Sequence, residues 1–271
     1  MTVQVVSPVR IAVVVPAFNE ARLIARTLQA IPAYVSHVVV VDDASSDATA
    51  EAARAVRDQR VEVVRHPENR GVGAAIVTGY QAAFARGADV CAVMAGDGQM
   101  DPADLRKLVA PVITGQASYA KGDRLSFPDA RRAMPLTRWL GNVVLGKLTA
   151  LAAGVKIRDS QCGYTALSRS AADALPLDKL WNRYGYPNDL LGMLAERKLV
   201  VSEVVVRPIY ADEESGIKLW HALFVVPFVL LRVLSRRLLY TLRWRMLART
   251  ERRTLRHVET APVHMVAPEF E

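Results

Sequence analysis

VMAGDGQMDP, residues 93–102, is the segment around which the whole sequence is organised. A mainly apolar run from Asp89 to Met94 predicts a buried strand, and the carboxylate of Asp97 and the amide of Gln99 follow its end. Open α/β sheets bind ligands at the carboxyl ends of their strands, and oxygen ligands suit Mg²⁺ or Mn²⁺ that carries a diphosphate. Taken alone, the segment is explained equally well by a plain strand–turn–helix junction with an exposed aspartate.

Strands and helices alternate along the chain. Apolar, β-branched runs predict strands over residues 10–15, 38–41, 61–65, 89–94, 118–121 and 200–207. Helical spacing predicts helices over residues 21–31, 47–57, 72–86 and 187–198, with a further helix ending near residue 153. This alternation is typical of βαβ units and a mostly parallel sheet. Polar residues at the strand ends would then face one crevice: Asn19-Glu20, Asp42-Asp43, Asn69-Arg70 and Asp97.

The composition fits one large domain with an appendage. The chain has 271 residues, of which 51% are hydrophobic, and its two cysteines indicate neither a disulfide framework nor a metal cluster. The formal net charge is +8, and residues 232–256 alone contain nine arginines against the single acidic residue Glu251. The rest of the chain is therefore close to neutral, which argues against nucleic-acid binding and for a local anionic partner of the tail.

The segment Gly71-Val72-Gly73-Ala74-Ala75 lies at a predicted helix start and has two interpretations. One is a dinucleotide-binding loop, but the segment follows the third strand rather than the first and lacks the third glycine of that motif. We prefer the other interpretation, in which small residues let the helix start pack closely while its backbone N–H groups face a phosphate. Arg70 would then lie near a diphosphate.

Eight short motifs occur in a fixed order along the chain. VVVPAFNE at 13–20, VDDASSDAT at 41–49, NRG at 69–71 and GDGQMDP at 96–102 come first, followed by KGDR at 121–124, MPLTR at 134–138, GN at 141–142 and DSQCGY at 159–164. Together they resemble the motifs of family 2 inverting glycosyltransferases, and most of all the branch that contains polyprenyl-phosphate (dolichyl-phosphate) mannosyl- and glucosyltransferases. The resemblance implies an α/β fold of the GT-A type, with a Rossmann-like, mostly parallel central sheet and flanking helices.

The resemblance also implies how a nucleotide-sugar donor, with UDP or GDP, would bind. Pro16, Ala17 and Glu20 would line the nucleoside pocket. Asp42 would accept a hydrogen bond from the base, as an acceptor-only carboxylate at a strand end can do. The neighbouring Asp43 is interpreted as a helix-capping or turn residue.

The metal site carries over from the same resemblance. Asp97 would hold a divalent metal, Mg²⁺ or Mn²⁺, that binds the donor diphosphate, and Gln99 lies where this branch can supply a further oxygen ligand. The sequence departs from the family at Ala95, because the usual Asp-x-Asp motif reads Ala-Gly-Asp here. The metal would then rely on Asp97, Gln99, water and the diphosphate, as many Mg²⁺ sites do. The loss also leaves open a catalytically silent protein that binds nucleotide sugars.

The acceptor side is expected to follow the donor half. Arg124 and Arg138 lie in the resembling motifs, and arginine forks suit phosphate oxygens, so we expect both to bind an acceptor phosphate. Arg131 and Arg132 are interpreted as solvated surface charges. Asp189 is the other catalytic candidate, because family members with hydroxyl acceptors place an acidic base at such a helix start. With a phosphate acceptor, which is already anionic, Asp189 would be structural or orienting.

The tail predicts contact with a membrane surface. Thirteen residues from Leu219 to Leu231 carry no formal charge, but a spanning helix needs about 20 residues and Pro227 interrupts the run. Leucines at helical spacing then alternate with arginines, which is typical of an interfacial pair of amphipathic helices on an anionic membrane. The alternative is a helix that packs on the body or on a second subunit of a homo-oligomer.

The sequence thus predicts three parts. Residues 1–214 form the GT-A domain, with a nucleotide-sugar-binding half (1–125) and an acceptor half (126–214), residues 215–249 form the interfacial helices, and residues 250–271 are disordered. The predicted enzyme moves a sugar from a nucleotide sugar to a polyprenyl (dolichyl or undecaprenyl) phosphate, with a metal and with inversion, at the cytoplasmic face of a membrane. The alternatives are a hydroxyl acceptor, lipid or glycan, with Asp189 as base, and the silent nucleotide-sugar-binding protein.

Overall fold

The computed structural model describes residues 8–209 and 224–259. The strands are β1 (Ile11–Ala17), β2 (His37–Asp42), β3 (Val61–Arg65), β4 (Val90–Val93), β5 (Tyr119–Asp123), β6 (Thr165–Ser168) and β7 (Val201–Val205). The α-helices are α1 (Ile24–Gln29), α2 (Thr49–Ala55), α3 (Val72–Ala85), α4 (Leu105–Ile113), α5 (Ala130–Ala133), α6 (Leu136–Ala153), α7 (Arg169–Ala174), α8 (Tyr186–Glu196) and α9 (Val226–Glu259).

The strands form one sheet in the order β3-β2-β1-β4-β6-β5-β7. Neighbouring strands are parallel, except that β6 is antiparallel to both β4 and β5. The predicted mostly parallel sheet is therefore confirmed. The chain leaves β1 toward β2 and β3 on one side and returns to β4 on the other. Such a reversal of strand order opens a crevice at the carboxyl ends of β1 and β4, where α/β sheets bind ligands.

Two apolar cores cover the two faces of the sheet. Val14 and Val39 contribute to the core that includes residues of α3, α8 and α9, whereas Val13 and Val15 contribute to the core that includes residues of α1 and α4. Because both faces are buried, these strands read as continuous apolar runs rather than as alternating ones. The packing is close: a Cβ added to Gly79 of α3 would lie 2.2 Å from Cγ1 of Val14.

Helix α9 packs on the body of the domain, against α8 and α6. Val229 and Val233 are fully buried there, within the core that also includes α3 and α8. A Cβ added to Gly192 of α8 would lie 2.7 Å from Cγ1 of Val233, so the two helices are in close contact. The first part of the tail is therefore part of the domain core, as in the alternative in which the tail packs on the body.

The bounds of α9 differ from the predicted ones. Pro227 is the second residue of α9 and does not interrupt a helix, because a proline in the first turn lacks an N–H that would be unpaired in any case. The helix continues to Glu259, so residues 250–259, predicted to be disordered, are helical. Of the predicted apolar run 219–231, residues 219–223 lie outside the described residues, as do residues 260–271 at the end of the tail. Within the described ranges, no helix is long and apolar enough to cross a membrane.

Candidate active site

A pocket of about 220 Å³ lies at the carboxyl ends of β1 and β4. Five of the residues predicted from the sequence line it: Pro16, Asp97, Gln99, Arg124 and Arg138. The others do not line this pocket. Ala17, Glu20 and Asp42 lie beside it at the ends of β1 and β2, Arg70 is exposed on the loop after β3, and Asp189 is buried in α8.

The loop that carries Asp97 is fixed to the end of β1. The backbone N–H of Gly96 donates to the carbonyl of Pro16 at 3.2 Å, and Oγ1 of Thr27 donates to the carbonyl of Gly96 at 3.1 Å. A Cβ added to Gly96 would lie 3.4 Å from Cβ of Ala17 and 3.6 Å from Cγ of Glu20. The predicted metal residue and the predicted nucleoside residues are therefore neighbours, although Ala17 and Glu20 lie outside the pocket itself.

The donor atoms near Asp97 fit a metal that arrives with its substrate. Oδ1 of Asp97 accepts a hydrogen bond from the backbone N–H of Gln99 at 3.0 Å, which fixes the carboxylate at the pocket. Among the described pocket residues Asp97 is the only carboxylate, and no group of three or more metal-binding side chains occurs in the described ranges. Mg²⁺ keeps several waters and needs only one or two carboxylates when phosphates complete its shell. Asp97 and Gln99 satisfy that requirement.

Asp42 has a buried oxygen that accepts no hydrogen bond, beside the predicted nucleoside residues. It pairs in register with Ala17 across the sheet and is fully buried. Its Oδ1 accepts from the backbone N–H of Ser45 at 2.9 Å. Nε of Arg65 lies 3.2 Å from Oδ2, but off the line of a hydrogen bond, so Oδ2 has no hydrogen-bond partner among the described residues. A buried acceptor that receives no hydrogen bond is costly, and an N–H of a bound base would supply one.

Asp43 organises the turn between β3 and α3. Its buried carboxylate accepts from the backbone N–H of Arg70 at 2.9 Å and of Gly71 at 2.7 Å, and Nδ1 of His66 lies 2.7 Å away. The interpretation of Asp43 as a capping or turn residue agrees with these contacts. Because Gly71 directly precedes α3, Asp43 sets where that helix begins.

The start of α3 packs as closely as we predicted. A Cβ on Gly73 would lie 2.2 Å from the carbonyl oxygen of Trp181, so only glycine fits there. The N–H groups of this turn are less available to a phosphate than we expected. The N–H of Gly71 already donates to Asp43, and the N–H of Ala74 donates to the carbonyl of Asn182 at 3.1 Å.

A buried ion pair positions Arg124 at the pocket. Nε and Nη2 of Arg124 donate to the two carboxylate oxygens of Asp159 at 2.7 and 2.9 Å. Burial by itself raises the pKa of Asp159, but the Arg124 guanidinium and its hydrogen bonds hold that pKa below its ordinary value. Arg124 is thus held rigidly with a compensated charge. The predicted surface position of Arg131 and Arg132 agrees with their exposure.

The sequence analysis missed two pocket residues, Arg207 and Tyr184. The backbone N–H of Arg207 donates to Oδ2 of Asp104 at 2.7 Å, and the side chain is largely exposed at the pocket edge. The sequence feature that pointed to Arg207 was its position just after β7. That strand pairs with β5, and Arg124 directly follows β5. Burial raises the pKa of Tyr184, and the nearby charges of Asp97 and Glu20 raise it further.

Asp189 faces α9. Its Oδ2 accepts from the backbone N–H of Trp181 at 2.9 Å and its Oδ1 from Nη1 of Arg236 at 3.0 Å, while Nε of Arg232 lies 3.5 Å away. The side chain is fully buried. Both carboxylate oxygens of Asp189 thus have partners on α9 or on the backbone, and Asp189 is not among the described residues that line the pocket.

Solved structures with similar architecture define the class of fold. Glucosyl-3-phosphoglycerate synthase from Mycobacterium tuberculosis, in complex with phosphoglyceric acid, is similar with a TM-score of 0.65 at 23% identity, over 83% of this chain and 80% of that one. The complex of the same enzyme with Mn²⁺, UDP and glucosyl-3-phosphoglycerate has a TM-score of 0.64 at 22% identity, over the same shares of the two chains. The fold is therefore the predicted GT-A α/β fold.

Sequence comparison identifies the family. Residues 12–175 match Glycosyl transferase family 2, and the chain belongs to that family. A UDP-N-acetylglucosamine–dolichyl-phosphate N-acetylglucosaminyltransferase of Methanococcus voltae is 30% identical over 217 residues, which are 74% of this chain and 86% of the relative. An undecaprenyl-phosphate mannosyltransferase of Micrococcus luteus is 29% identical, over 76% of this chain and 86% of the relative. These relatives confirm the resemblance to the polyprenyl-phosphate branch and identify the chain as a glycosyltransferase.

Proposed function

We propose that this glycosyltransferase moves a sugar from a nucleotide sugar to a polyprenyl phosphate, with inversion at the anomeric carbon. The observation that carries the proposal is the contrast between two sets of side chains. Arg124, Arg138 and Arg207 line the pocket, whereas Asp189, the candidate base, is tied to α9. A pocket with arginines and without an available base suits an acceptor that is anionic before it reacts. The names of the relatives from Methanococcus voltae and Micrococcus luteus agree with this acceptor class.

On the donor side, the nucleotide sugar binds along the ends of β1 and β2. Oδ2 of Asp42 accepts an N–H from the base, and the diphosphate lies beside Asp97 and Gln99. A bound Mg²⁺ or Mn²⁺ supplies charge stabilisation for the departing nucleoside diphosphate. Support for a divalent metal comes from the fit of the donor atoms and from the solved relative that was crystallised with Mn²⁺ and UDP. Both UDP and GDP remain candidates for the nucleotide.

On the acceptor side, a phosphate oxygen attacks the anomeric carbon on the face opposite the diphosphate. A carbon–oxygen bond to the acceptor phosphate forms as the bond to the diphosphate breaks, which gives inversion without transfer of a proton. Arg138 and Arg207 hold the acceptor phosphate, and Arg124 defines the wall behind it because Asp159 fixes its guanidinium. Orientation and electrostatic stabilisation then provide most of the rate enhancement.

The proposed acceptor lies in a membrane, and α9 is the element that we propose to approach it. Arg232 and Arg236 pair with Asp189, but the later part of the helix is strongly basic: residues 237–256 contain seven arginines and the single acidic residue Glu251, so this part is attracted to an anionic surface. A peripheral position at the cytoplasmic face of a membrane follows from this proposal. Contact between α9 helices of two subunits is the alternative use of the same helix.

Of the two other predicted functions, the hydroxyl acceptor is disfavoured by the contacts of Asp189 with Arg236 and Trp181. A silent binding protein would require the loss of Asp-x-Asp at Ala95 to abolish catalysis, although Asp97 keeps its place at the pocket. Membership of a family of glycosyltransferases speaks against it as well.

A single assay tests the proposed function. Transfer from UDP- and GDP-sugars would be measured to a short-chain polyprenyl phosphate and to the matching polyprenol, each with Mn²⁺, with Mg²⁺ and with a chelator. We expect product from the phosphate only, and only with a divalent metal. Product from the alcohol but not from the phosphate would overturn the acceptor class, and full activity in the chelator would overturn the role of the metal.

A further inference from the structure

We propose that the outward sides of α6 and α9 together form one lipid-docking surface, which lies on anionic phospholipid. The GT-A domain itself, and not only the tail, would then contact the bilayer through α6. This inference rests on the proposed function only in that a membrane-borne acceptor gives the docking a purpose. The binding surface is argued from the helices themselves.

Helix α6 carries an apolar stripe that no other element covers in the described part of the chain. Its members are all exposed and follow one another at intervals of three or four residues: Leu136, Leu140, Val144, Leu148 and Leu151. Side chains at this spacing lie on one side of a helix. Exposed apolar patches of this extent are unusual on soluble proteins and mark interaction sites.

Helix α9 carries a second exposed stripe. Phe228, Leu231, Leu238 and Leu242 recur at intervals of three, seven and four residues, and all four are exposed. The same helix buries Val229 and Val233 against the body. The helix is therefore apolar on two opposite sides, of which packing on the domain explains only one.

The two stripes lie on the same side of the helix pair. On α6, Thr149 faces α8, because its Oγ1 lies 3.1 Å from Oδ1 of Asn188, and the stripe is on the opposite side. On α9, Val233 and Arg236 face α8, and Leu231, Leu238 and Leu242 are on the opposite side. Both apolar stripes therefore point away from α8.

The two helices also start together and run in the same direction. Arg138 near the start of α6 and Val226 at the start of α9 both line the pocket. Further along, Nη1 of Arg237 donates to the carbonyl of Leu151 at 2.7 Å. The stripes thus border each other and begin at the pocket edge. A polyprenyl chain that leaves the pocket there would enter lipid directly.

The charge of the two helices favours an anionic lipid layer as the partner of this surface. Residues 136–153 and 226–242 contain no acidic residue. Arg232 and Arg236 pair with Asp189 of α8, and the exposed cations in these two ranges are Lys147 and Arg237. Apolar side chains flanked by cations suit anionic headgroups above acyl chains. A second copy of this face would bring like charges together, which argues against a symmetric dimer contact.

The direct test places an environment-sensitive dye on the stripe. Cys91 and Cys162 are both buried, so a cysteine introduced on the surface can be labelled selectively. Val144→Cys reports on α6. Val200→Cys, directly before β7, is the matched control, since Val144 is 54% exposed and Val200 is 56% exposed. With phosphatidylglycerol vesicles we expect a blue shift of the dye at position 144 and none at position 200.

A second pair of variants measures binding without a dye. Val144→Glu should lower the partition of the full-length protein onto these vesicles at least about tenfold, because it puts a charge into an apolar contact, whereas Val200→Glu should leave it unchanged. Wild-type binding with no response at position 144 would overturn the role of α6. Two further results would overturn the docking surface. One is a protein that does not bind the vesicles, and the other is a dye shift that depends on protein concentration in the absence of lipid.

Transfer to a water-soluble, short-chain polyprenyl phosphate separates this inference from the proposed function. Turnover of the short-chain acceptor without any docking at position 144 would leave the proposed function standing and refute the docking surface. Docking at position 144 without transfer to any polyprenyl phosphate would support the surface and refute the proposed function.

Discussion

Asp97 is the side chain on which we propose that the donor half of the site depends. It is the only carboxylate among the described residues that line the pocket, and its Oδ1 is oriented by the backbone N–H of Gln99. We expect Asp97→Asn to lower kcat/KM at least about 100-fold, because the metal loses its one charged protein ligand. Asp129→Asn, the same change at an exposed position, is the control and should behave as wild type. Near-normal turnover of Asp97→Asn at saturating donor would remove Asp97 from the site.

Asp159 allows a prediction for stability and its pH dependence. The Arg124 guanidinium holds the folded-state pKa of Asp159 below the value of about 3.9 in an unfolded chain, although burial alone would raise it. A depressed carboxyl pKa adds stability that is fully present above the unfolded pKa and is lost as pH falls through the folded pKa.

The measurement is urea unfolding of wild type and Asp159→Asn between neutral and acidic pH. At neutral pH we expect the variant to lose about 3–5 kcal/mol of unfolding free energy, since it leaves a buried guanidinium without its partner. The difference between the two proteins should begin to shrink below about pH 4, where Asp159 of the unfolded chain protonates, and should continue to shrink as pH falls through the lower pKa of the folded carboxyl. If the difference in unfolding free energy were constant over the whole pH range, the stabilisation by the Arg124–Asp159 pair would not depend on the charge of Asp159.

At this scale the sequence predicted those pocket-lining residues that belong to contiguous motifs. Asp97, Gln99, Arg124 and Arg138 could be named because their types and neighbours carry the chemistry. Arg207 escaped because it reaches the pocket through strand pairing, and no local pattern distinguishes it from a surface arginine. The orientation of Asp189 also depended on the fold, since a carboxylate in the first turn of a helix is compatible with either a base or a structural role.

At the scale of elements, the contact between α8 and α9 joins the tail to the domain. A Cβ on Gly192 would lie 2.7 Å from Cγ1 of Val233, so Gly192→Ala should cost about 1–3 kcal/mol despite the better helix propensity of alanine. Val233→Ala removes the clashing methyl groups, and the double variant should recover part of that loss, as a favourable coupling of about 1 kcal/mol.

Gly141→Ala is the matched control for this experiment. Gly141 lies in α6 with no heavy atom within 4 Å of an added Cβ, so alanine there should stabilise the protein by up to about 1 kcal/mol. Thermal unfolding of the four variants provides the comparison. If Gly192→Ala behaves like Gly141→Ala, α9 does not pack against α8 in the way described.

The sequence predicted elements well where one pattern dominated. β1, β2 and β4 contain continuous apolar runs that contribute to both cores, and the predicted bounds of the first four strands came close to those observed. β6 escaped prediction because its four residues, Thr165–Ser168, are too short to show a period. The predicted interruption at Pro227 differs from the structure because a proline is compatible with both the end and the first turn of a helix. Which of the two occurs depends on the residues that pack beside it.

For the whole molecule, the sequence predicted the crevice but not its outer surface. Polar strand ends converge in any parallel sheet, so the position of the site followed from the order of the strands. The apolar residues of α6 recur every three or four positions, and a helix that faces the core shows the same spacing. Only the fold shows that Val144 and its neighbours point outward, because α8 and α9 already cover the opposite side.

The central claim is that arginines bind an anionic acceptor and that no carboxylate acts as base. It is tested most directly by the kinetics of two full-length variants on one polyprenyl phosphate, with thermal unfolding to show that both are folded at the assay temperature. We expect Arg138→Ala to raise the acceptor KM at least about tenfold, and Asp189→Asn to keep kcat within about tenfold of wild type. A loss of kcat of about 10²–10⁴-fold in folded Asp189→Asn, beside a near-normal Arg138→Ala, would contradict the claim and make Asp189 the base.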